Sequence, residues 1–214
     1  MISSRCYGIR APLSGPPADQ TRKYAYKRRG RGEKRNGCKR RAGQRWFRRK
    51  TDRLALKYLH IGYWNCQSAK QRGPILQKLV YDFDIFMIQE SNLQQDKALE
   101  CPGFKCYFTP SEPGVELGQA IYVRYGLPHN CRDTHDFLPE GVELQGIQLT
   151  IRDQVWRIYN VYAHVDKLYI AHNWDFLEKL SDVPRTKFLI AGDFNARSKE
   201  WGNATENRQG IALS

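Results

Sequence analysis

The chain has 214 residues, which is enough for one domain with a single core plus an appendage and too few for two full domains. Hydrophobic residues make up 41% of it and aromatic residues 12%, as in globular proteins, and the absence of an apolar run of ~20 residues excludes a membrane-spanning helix. The formal net charge of +13 is uneven, because residues 1–53 hold 18 Lys and Arg against three acids, while the remainder holds 17 against 19.

The basic residues lie in a first segment that we expect to be a disordered tail over residues 1–55. It has few aliphatic residues and many like charges, so it cannot bury enough apolar surface to offset the entropy of ordering. Such a tail can bind nucleic acid by neutralising phosphates, and its clusters suit nuclear import; a leader without a selected role is the alternative. The candidate nucleic-acid contacts are Arg28, Arg29, Arg31, Lys39, Arg40, Arg41, Arg48 and Arg49.

The six cysteines are spaced without the paired CxxC sets that are typical of zinc sites. The first residues also lack the continuous apolar segment of a secretory signal, so we expect the cysteines to be in a reducing compartment. We therefore expect free thiols.

From Leu54 onward, strand-like and helix-like stretches alternate, and we expect one α/β domain over residues 56–214. "YLHIGYWN" (58–65) is rich in β-branched and aromatic residues and indicates a strand. Ser68 can cap a following helix, although Gly73 and Pro74 place its regular part nearer 74–82. "DIFMIQE" (84–90) is apolar enough for a strand that is buried on both faces.

The second half of this region alternates in the same way. Residues 152 and 153 form a short link between two of its strands, in the manner of a hairpin. Apolar residues recur at helical spacing over 166–180, which predicts an amphipathic helix. The further strands are expected at 103–108, 118–125, 142–151, 154–162 and 187–195.

Three of the most apolar strands end in polar residues. Asn65 ends the first, Glu90 the second, and Asp193 with Asn195 the last. Polar side chains at strand ends can converge in a cleft above a sheet, and residues i and i+2 of an extended strand face the same side. A catalytic cleft is therefore one prediction, and the capping of turns or helices is the alternative.

In this order and spacing, the motifs "WNCQS", "IQES", "NVYAHV" and "GDFNARSKEWG" resemble the endonuclease/exonuclease/phosphatase superfamily. The closer resemblance is to the apurinic-endonuclease-like domain of non-LTR (LINE-type) retrotransposons, over about Tyr58 to Ser214. It implies a four-layer α/β sandwich, in which two face-to-face mixed β-sheets are flanked by helices.

The resemblance also implies a metal-dependent cleavage of phosphodiester bonds by an activated water. Glu90 then corresponds to the ligand of the divalent cation, Mg²⁺ or Mn²⁺, and Asn65 to the asparagine that hydrogen-bonds beside it. Asp193 corresponds to the residue that orients or deprotonates the water. Asn195 corresponds to a donor to the scissile phosphate, and Tyr162 to the tyrosine whose hydroxyl approaches it.

The sequence departs from the family pattern in three ways. Gln67 stands where apurinic endonucleases carry an aspartate, which favours the retrotransposon branch over abasic-site repair. His164 stands where a proline is common, and we expect it to fill the loop rather than to contact substrate. The family closes with further strands and a Ser-Asp-His-type motif that does not occur before Ser214, so we expect a domain incomplete at its C-terminus and weak or inactive alone.

The function implied is nicking of target DNA to leave a 3′-hydroxyl that primes reverse transcription, with a downstream reverse transcriptase domain in the full polyprotein. The expected partners are DNA and, through the tail, RNA, with no membrane. The expected location is the nucleus, or the cytoplasm with nuclear import. Another phosphoesterase of the superfamily, either a phosphatase or a repair nuclease, and a non-catalytic nucleic-acid-binding remnant are the alternatives.

Overall fold

The structure, a computed structural model, has nine strands in two sheets among the residues that it describes. The residues that it describes are 6–12, 58–94, 98–112, 117–132, 138–151, 153–164 and 174–214.

The first sheet has five strands in the order β1-β2-β3-β5-β4. Strands β2 and β3 run parallel, and the other neighbouring pairs are antiparallel. The sheet is therefore mixed. Its strands are β1 (Cys6–Pro12), β2 (Tyr58–Asn65), β3 (Ile85–Gln89), β4 (Phe104–Thr109) and β5 (Gln119–Arg124).

The second sheet has four strands in the order β6-β7-β8-β9. Strands β8 and β9 run parallel, whereas β6, β7 and β8 are antiparallel, and Ile151 pairs with Gln154 across the predicted two-residue hairpin link. This sheet is also mixed. Its strands are β6 (His129–Arg132), β7 (Val142–Ile151), β8 (Gln154–Ala163) and β9 (Thr186–Asp193).

Three α-helices accompany the sheets within the described part of the chain. They are α1 (Ala69–Leu79), α2 (Asp175–Ser181) and α3 (Arg208–Leu213). Short 3-10 turns cover Val80–Asp82 directly after α1 and Lys199–Trp201 before α3. Among the described residues, no helix combines the length and the apolarity that crossing a membrane requires.

The two sheets pack face to face through apolar side chains that alternate along their strands. Ile61 and Met87 of the first sheet lie in one buried cluster with Ile147 and Ile158 of the second. The opposite face of the first sheet packs against α1, and the opposite face of the second sheet packs against α2. The order helix, sheet, sheet, helix confirms the predicted four-layer α/β sandwich.

The first residues of the chain correct one expectation. Cys6–Pro12 pairs antiparallel with β2, so the prediction of disorder is wrong for these seven residues. Their single charge, Arg10, sets them apart from the basic clusters downstream, and averaging the charge over residues 1–55 hid this difference. Residues 13–57, including every candidate nucleic-acid contact of the tail, lie outside the described residues.

Helix boundaries differ from the prediction for a tertiary reason. Helix α1 begins at Ala69, well before 74, because the N–H groups of Ser68 and Ala69 donate to the carbonyl oxygens of Glu90 and Ser91, both at 2.8 Å. The Ser68 side chain makes no capping hydrogen bond. Helix α2 covers the last part of the predicted helix over 166–180, and residues 166–173 lie outside the described residues.

Four cysteines are free thiols, as predicted: Cys66, Cys101, Cys106 and Cys131.

Candidate active site

The side chain of Asn65, at the end of β2, joins two acidic side chains. Its Nδ2 donates to Glu90 Oε1 at 2.6 Å and to Asp193 Oδ2 at 2.8 Å. These partners lie 25 and 128 positions away along the chain. The structure thus brings together the polar residues that end the three apolar strands, as the sequence predicted.

This meeting follows from the strand directions. Strands β2 and β3 are parallel, with Asn65 paired to Gln89, so their carboxyl ends lie at one edge of the sheet. Strand β9 of the facing sheet ends at the same edge with Asp193. Glu90 leaves β3 with a left-handed backbone, φ 51°, a conformation that costs a non-glycine residue ~1 kcal/mol or more. The hydrogen bond from Ser68 N–H to the Glu90 carbonyl holds this turn.

Tyr162 lies in β8, paired on one side with Asp193 of β9 and on the other with Glu143 of β7. It is buried, and the Glu90 side chain lies near its hydroxyl. Burial, followed by the Glu90 carboxylate, raises the pKa of Tyr162 above its usual value. Nearby Asp193 and Glu143 act in the same direction. The Tyr162 hydroxyl therefore keeps its proton at neutral pH and can donate it.

Asn195 lies beside Asp193 for a different reason from the one expected. Strand β9 ends at Asp193, so the argument that both residues share one face of an extended strand is wrong. Asn195 has a left-handed backbone, φ 46°, and its N–H donates to Asp193 Oδ1 at 3.0 Å. Its Nδ2 donates to the carbonyl of Ala163 at 2.7 Å, which leaves the second hydrogen of the amide for another acceptor.

The site concentrates negative charge. Glu90 and Asp193 share one amide donor, and neither forms an ion pair with any described residue. No three described His, Cys, Asp or Glu side chains are grouped so as to hold a metal ion. Mg²⁺, however, is often bound by one or two carboxylates with waters and substrate phosphate completing its shell. The donor set at Glu90 fits that cation.

A third acidic residue, Glu143, lies beside Tyr162 on the neighbouring strand β7. It is buried and accepts hydrogen bonds from the N–H groups of Leu117 at 2.8 Å and Gly118 at 3.0 Å. His164 Nε2 lies 2.8 Å from Glu143 Oε1, and its ring packs edge-on against Tyr162 at 4.9 Å. The expectation that His164 only fills the loop is therefore incomplete, because its imidazole is anchored.

Sequence reasoning also missed a polar pair between the sheets. Gln89 Nε2 donates to Asn160 Oδ1, and Asn160 Nδ2 donates to the carbonyl of Ile88 at 3.0 Å. Both side chains are fully buried. The signal was available, since "IYNVY" places one amide in the middle of an otherwise apolar and aromatic strand, where a buried amide needs a partner.

The profile of the Endonuclease/Exonuclease/phosphatase family matches residues 62–212, which make up more than half of the chain. The chain belongs to this family. Its Asn65, Glu90 and Asp193 lie within the matched region, so the predicted resemblance to the superfamily is confirmed.

Known proteins similar to this chain include polymerases of mobile elements. The probable RNA-directed DNA polymerase from transposon X-element of Drosophila melanogaster is 24% identical over 163 residues, 73% of this chain. The RNA-directed DNA polymerase from mobile element jockey of Drosophila funebris is 24% identical over 161 residues, 72% of this chain. The chain spans 17% of the length of each of these relatives.

Two solved structures are similar to this chain. The AP endonuclease LMAP from Leishmania major has a TM-score of 0.50 and 16% identity. The aligned region covers 68% of this chain and 57% of the LMAP chain. The endonuclease domain of TRAS1, a telomere-specific non-LTR retrotransposon, has a TM-score of 0.48 and 17% identity. The aligned region covers 71% of this chain and 67% of the TRAS1 domain chain.

Proposed function

We propose that this chain is a magnesium-dependent DNA endonuclease domain of a non-LTR retrotransposon polyprotein. Family membership gives the reaction class, phosphodiester hydrolysis. The mobile-element polymerases among its relatives support the retrotransposon setting. The observation that carries the proposal is the Asn65 amide joining Glu90 to Asp193, because it brings together one carboxylate suited to bind a cation and another suited to accept a proton.

In this proposal Glu90 would hold the divalent cation, Mg²⁺ or Mn²⁺. When bound, the cation neutralises charge on the phosphate and on the leaving oxygen. Two donors, Asn65 Nδ2 and the Asn195 N–H, fix both oxygens of Asp193. A carboxylate held in this way can orient the attacking water and accept its proton, because its lone pairs not used by these donors point in defined directions.

Two further groups would contact the phosphate. The Tyr162 hydroxyl keeps its proton because burial and the Glu90 carboxylate raise its pKa. Asn195 Nδ2 has one hydrogen beyond the bond to Ala163. Both are neutral donors, so they can stabilise charge that develops on the phosphate oxygens without changing the charge of the cleft.

The biological step would be nicking of one strand of target DNA, leaving a 3′-hydroxyl from which a reverse transcriptase domain of the same polyprotein extends. The basic residues between 22 and 53 support DNA binding and RNA binding by neutralising phosphates, and they support nuclear import. We therefore propose that the protein acts in the nucleus.

The test is a nicking assay on supercoiled plasmid with Mg²⁺, Mn²⁺ or EDTA. It is run on the 214-residue chain and in parallel on the complete product of its reading frame. We expect metal-dependent conversion to open circles by the complete product and weak or no conversion by the 214-residue chain, and we expect Glu90→Gln and Asp193→Asn each to abolish it. The matched controls, Glu100→Gln and Asp153→Asn, change exposed carboxylates outside the cleft in the same way and should nick normally.

Other results would select an alternative. Hydrolysis of a phosphate monoester or a phosphoinositide without DNA nicking would make the chain another phosphoesterase of the family. DNA binding that ignores Mg²⁺, is lost on deleting residues 13–53 and is never followed by cleavage would indicate a non-catalytic remnant.

A further inference from the structure

The side chain of Asn207 holds the loop that follows β9. Its Nδ2 donates to the main-chain oxygen of Asn195 at 2.7 Å, and its Oδ1 accepts from the N–H of Arg197 at 2.8 Å. The same Oδ1 accepts from the N–H of Gly210 at 2.9 Å, which caps α3. The Asn207 N–H donates back to the Arg197 carbonyl at 3.0 Å. One residue thus binds two peptide groups of the loop and the start of a helix.

Asn195, whose carbonyl accepts the hydrogen bond from Asn207, has an uncommon backbone conformation. Asn195 has φ 46°, in the left-handed region that side chains other than glycine seldom adopt, although asparagine adopts it more readily than most. This conformation directs the Asn195 N–H at Asp193 Oδ1, 3.0 Å away. The Asn195 carbonyl and N–H belong to successive peptide groups joined at its Cα, so a change in φ and ψ of Asn195 would remove one of the two donors that orient the Asp193 carboxylate.

Helix α3 packs closely against the loop that follows β9. Helix α3 begins so near the loop that a Cβ on Gly210 would lie 1.9 Å from the Arg197 oxygen. Gln209 and Gly210 are buried at this contact. The Asn207 side chain consequently has little freedom to follow a shifted loop, and it imposes one position on Asn195.

We propose that Asn207 is a positioning residue of the active site. Its side-chain amide fixes the left-handed backbone conformation of Asn195 and, through the Asn195 N–H, the orientation of the Asp193 carboxylate. Its effect on turnover rests on the proposed nuclease function, whereas its effect on the Asn195 peptide does not. The competing role is that of a helix cap, which would act only through the acceptor Oδ1.

The substitution Asn207→Asp separates the two roles. Aspartate keeps acceptors for the N–H groups of Arg197 and Gly210 and is at least as good a helix cap as asparagine. It has no hydrogen to donate to the Asn195 carbonyl, and its oxygen would repel that carbonyl. The variant should keep the cap of α3 while releasing the backbone at Asn195.

Two measurements on the purified chain test this. Hydrogen exchange resolved by NMR should show a faster-exchanging Asn195 amide in Asn207→Asp, while the Gly210 amide stays protected because its acceptor remains. In the nicking assay, kcat should fall about 10-fold to 100-fold, as for other small displacements of catalytic groups, with KM changed less than about twofold. Asn207→Ala should lose the cap as well and show a lower thermal midpoint.

The matched control is Asn203→Asp, the same change of charge four positions earlier. Asn203 is exposed, and its Nδ2 donates to the Ser198 carbonyl at 3.1 Å, away from Asn195. We expect wild-type kcat and wild-type exchange at Asn195 from this control. A fall in kcat equal to that of Asn207→Asp would show that added negative charge, rather than the lost donor, is responsible.

Each outcome decides the matter. Wild-type exchange at Asn195 in Asn207→Asp overturns the proposal, and so does equal loss of protection at Asn195 and Gly210, which would mark Asn207 as a cap alone. Unchanged kcat in an active enzyme also overturns it. If the wild type fails to nick DNA even as the complete product of its reading frame, the proposed function fails, and the exchange rates alone still decide whether Asn207 positions Asn195.

Discussion

His164 Nε2 lies 2.8 Å from Glu143 Oε1, in a buried contact against the ring of Tyr162. Because a carboxylate only accepts hydrogen bonds, His164 must present a protonated Nε2 to it, and this fixes the orientation of the imidazole. Glu143 also binds the N–H groups of Leu117 and Gly118. One carboxylate therefore fastens the loop before β5 and the end of β8 to β7.

Replacing Glu143 with alanine should destabilise the fold. The change leaves the N–H groups of Leu117 and Gly118 and the His164 ring without their acceptor, and we expect a loss of about 3 kcal/mol in the free energy of unfolding. Urea denaturation measures this loss. Glu100→Ala, which removes an exposed glutamate, is the control and should change stability by less than about 0.5 kcal/mol. A similar small change for Glu143→Ala would show that these hydrogen bonds contribute little.

The amide pair between the sheets makes a separate prediction. Asn160→Ala should lower the free energy of unfolding by about 2–3 kcal/mol, because it leaves the buried Gln89 amide without its acceptor and removes a side-chain donor from the Ile88 carbonyl. Asn130→Ala, on the exposed side of β6, is the control and should be near neutral. Equal unfolding midpoints for the two variants in urea would contradict the assigned importance of this pair.

Strand β9 approaches β8 so closely at Gly192 that no side chain fits. A Cβ there would lie 1.9 Å from the Val161 oxygen, so Gly192→Ala should cost at least ~3 kcal/mol or prevent folding. Gly126→Ala provides the matched control, since Gly126 also has a positive φ, +93°, but nothing lies within 4 Å of its added Cβ. It should cost only the backbone strain, about 1 kcal/mol. Comparable thermal midpoints for both variants would refute the predicted clash.

The sequence made the polar strand ends visible, because Asn65, Glu90 and Asp193 interrupt strongly apolar stretches at their final positions. It could not show that β9 stops at Asp193, since the left-handed turn at Asn195 depends on Asn207, twelve residues further along. The partner of Asn160 was equally hidden, because it lies on a strand of the other sheet. Local pattern located the residues, and tertiary hydrogen bonds determined how they are oriented.

The raised pKa values of three thiols predict which cysteines an alkylating reagent modifies. Burial raises the pKa of Cys66 and of Cys106 to about 12, and that of Cys101 to about 11. At pH 8 the Cys66 thiolate is then on the order of one part in ten thousand, so iodoacetamide should modify exposed Cys131 and spare Cys66 in the folded chain. Mass spectrometry of the labelled peptides measures this, and equal labelling would contradict the burial of Cys66.

The same pKa values give the sign of the pH dependence of stability. A raised folded-state pKa stabilises the fold fully below the pKa of an unfolded thiol, near 9, and this contribution is lost as the pH rises through about 11 to 12. Urea denaturation in a reducing buffer should therefore give a free energy of unfolding that declines above pH 9. Constant stability between pH 9 and 11 would argue against these three groups as its source.

Magnesium binding should be detectable without any DNA. A ligand that binds only the folded state raises the thermal midpoint. Mg²⁺ should therefore raise the thermal midpoint of the wild type, because Glu90 and Asp193 lie together and no described basic side chain pairs with either of them. Glu90→Gln should abolish the shift. In EDTA this variant should be at least as stable as the wild type, because glutamine keeps an acceptor for Asn65 and the repulsion from Asp193 is gone. Glu100→Gln should respond to Mg²⁺ like the wild type, and a shift retained by Glu90→Gln would move the cation site away from Glu90.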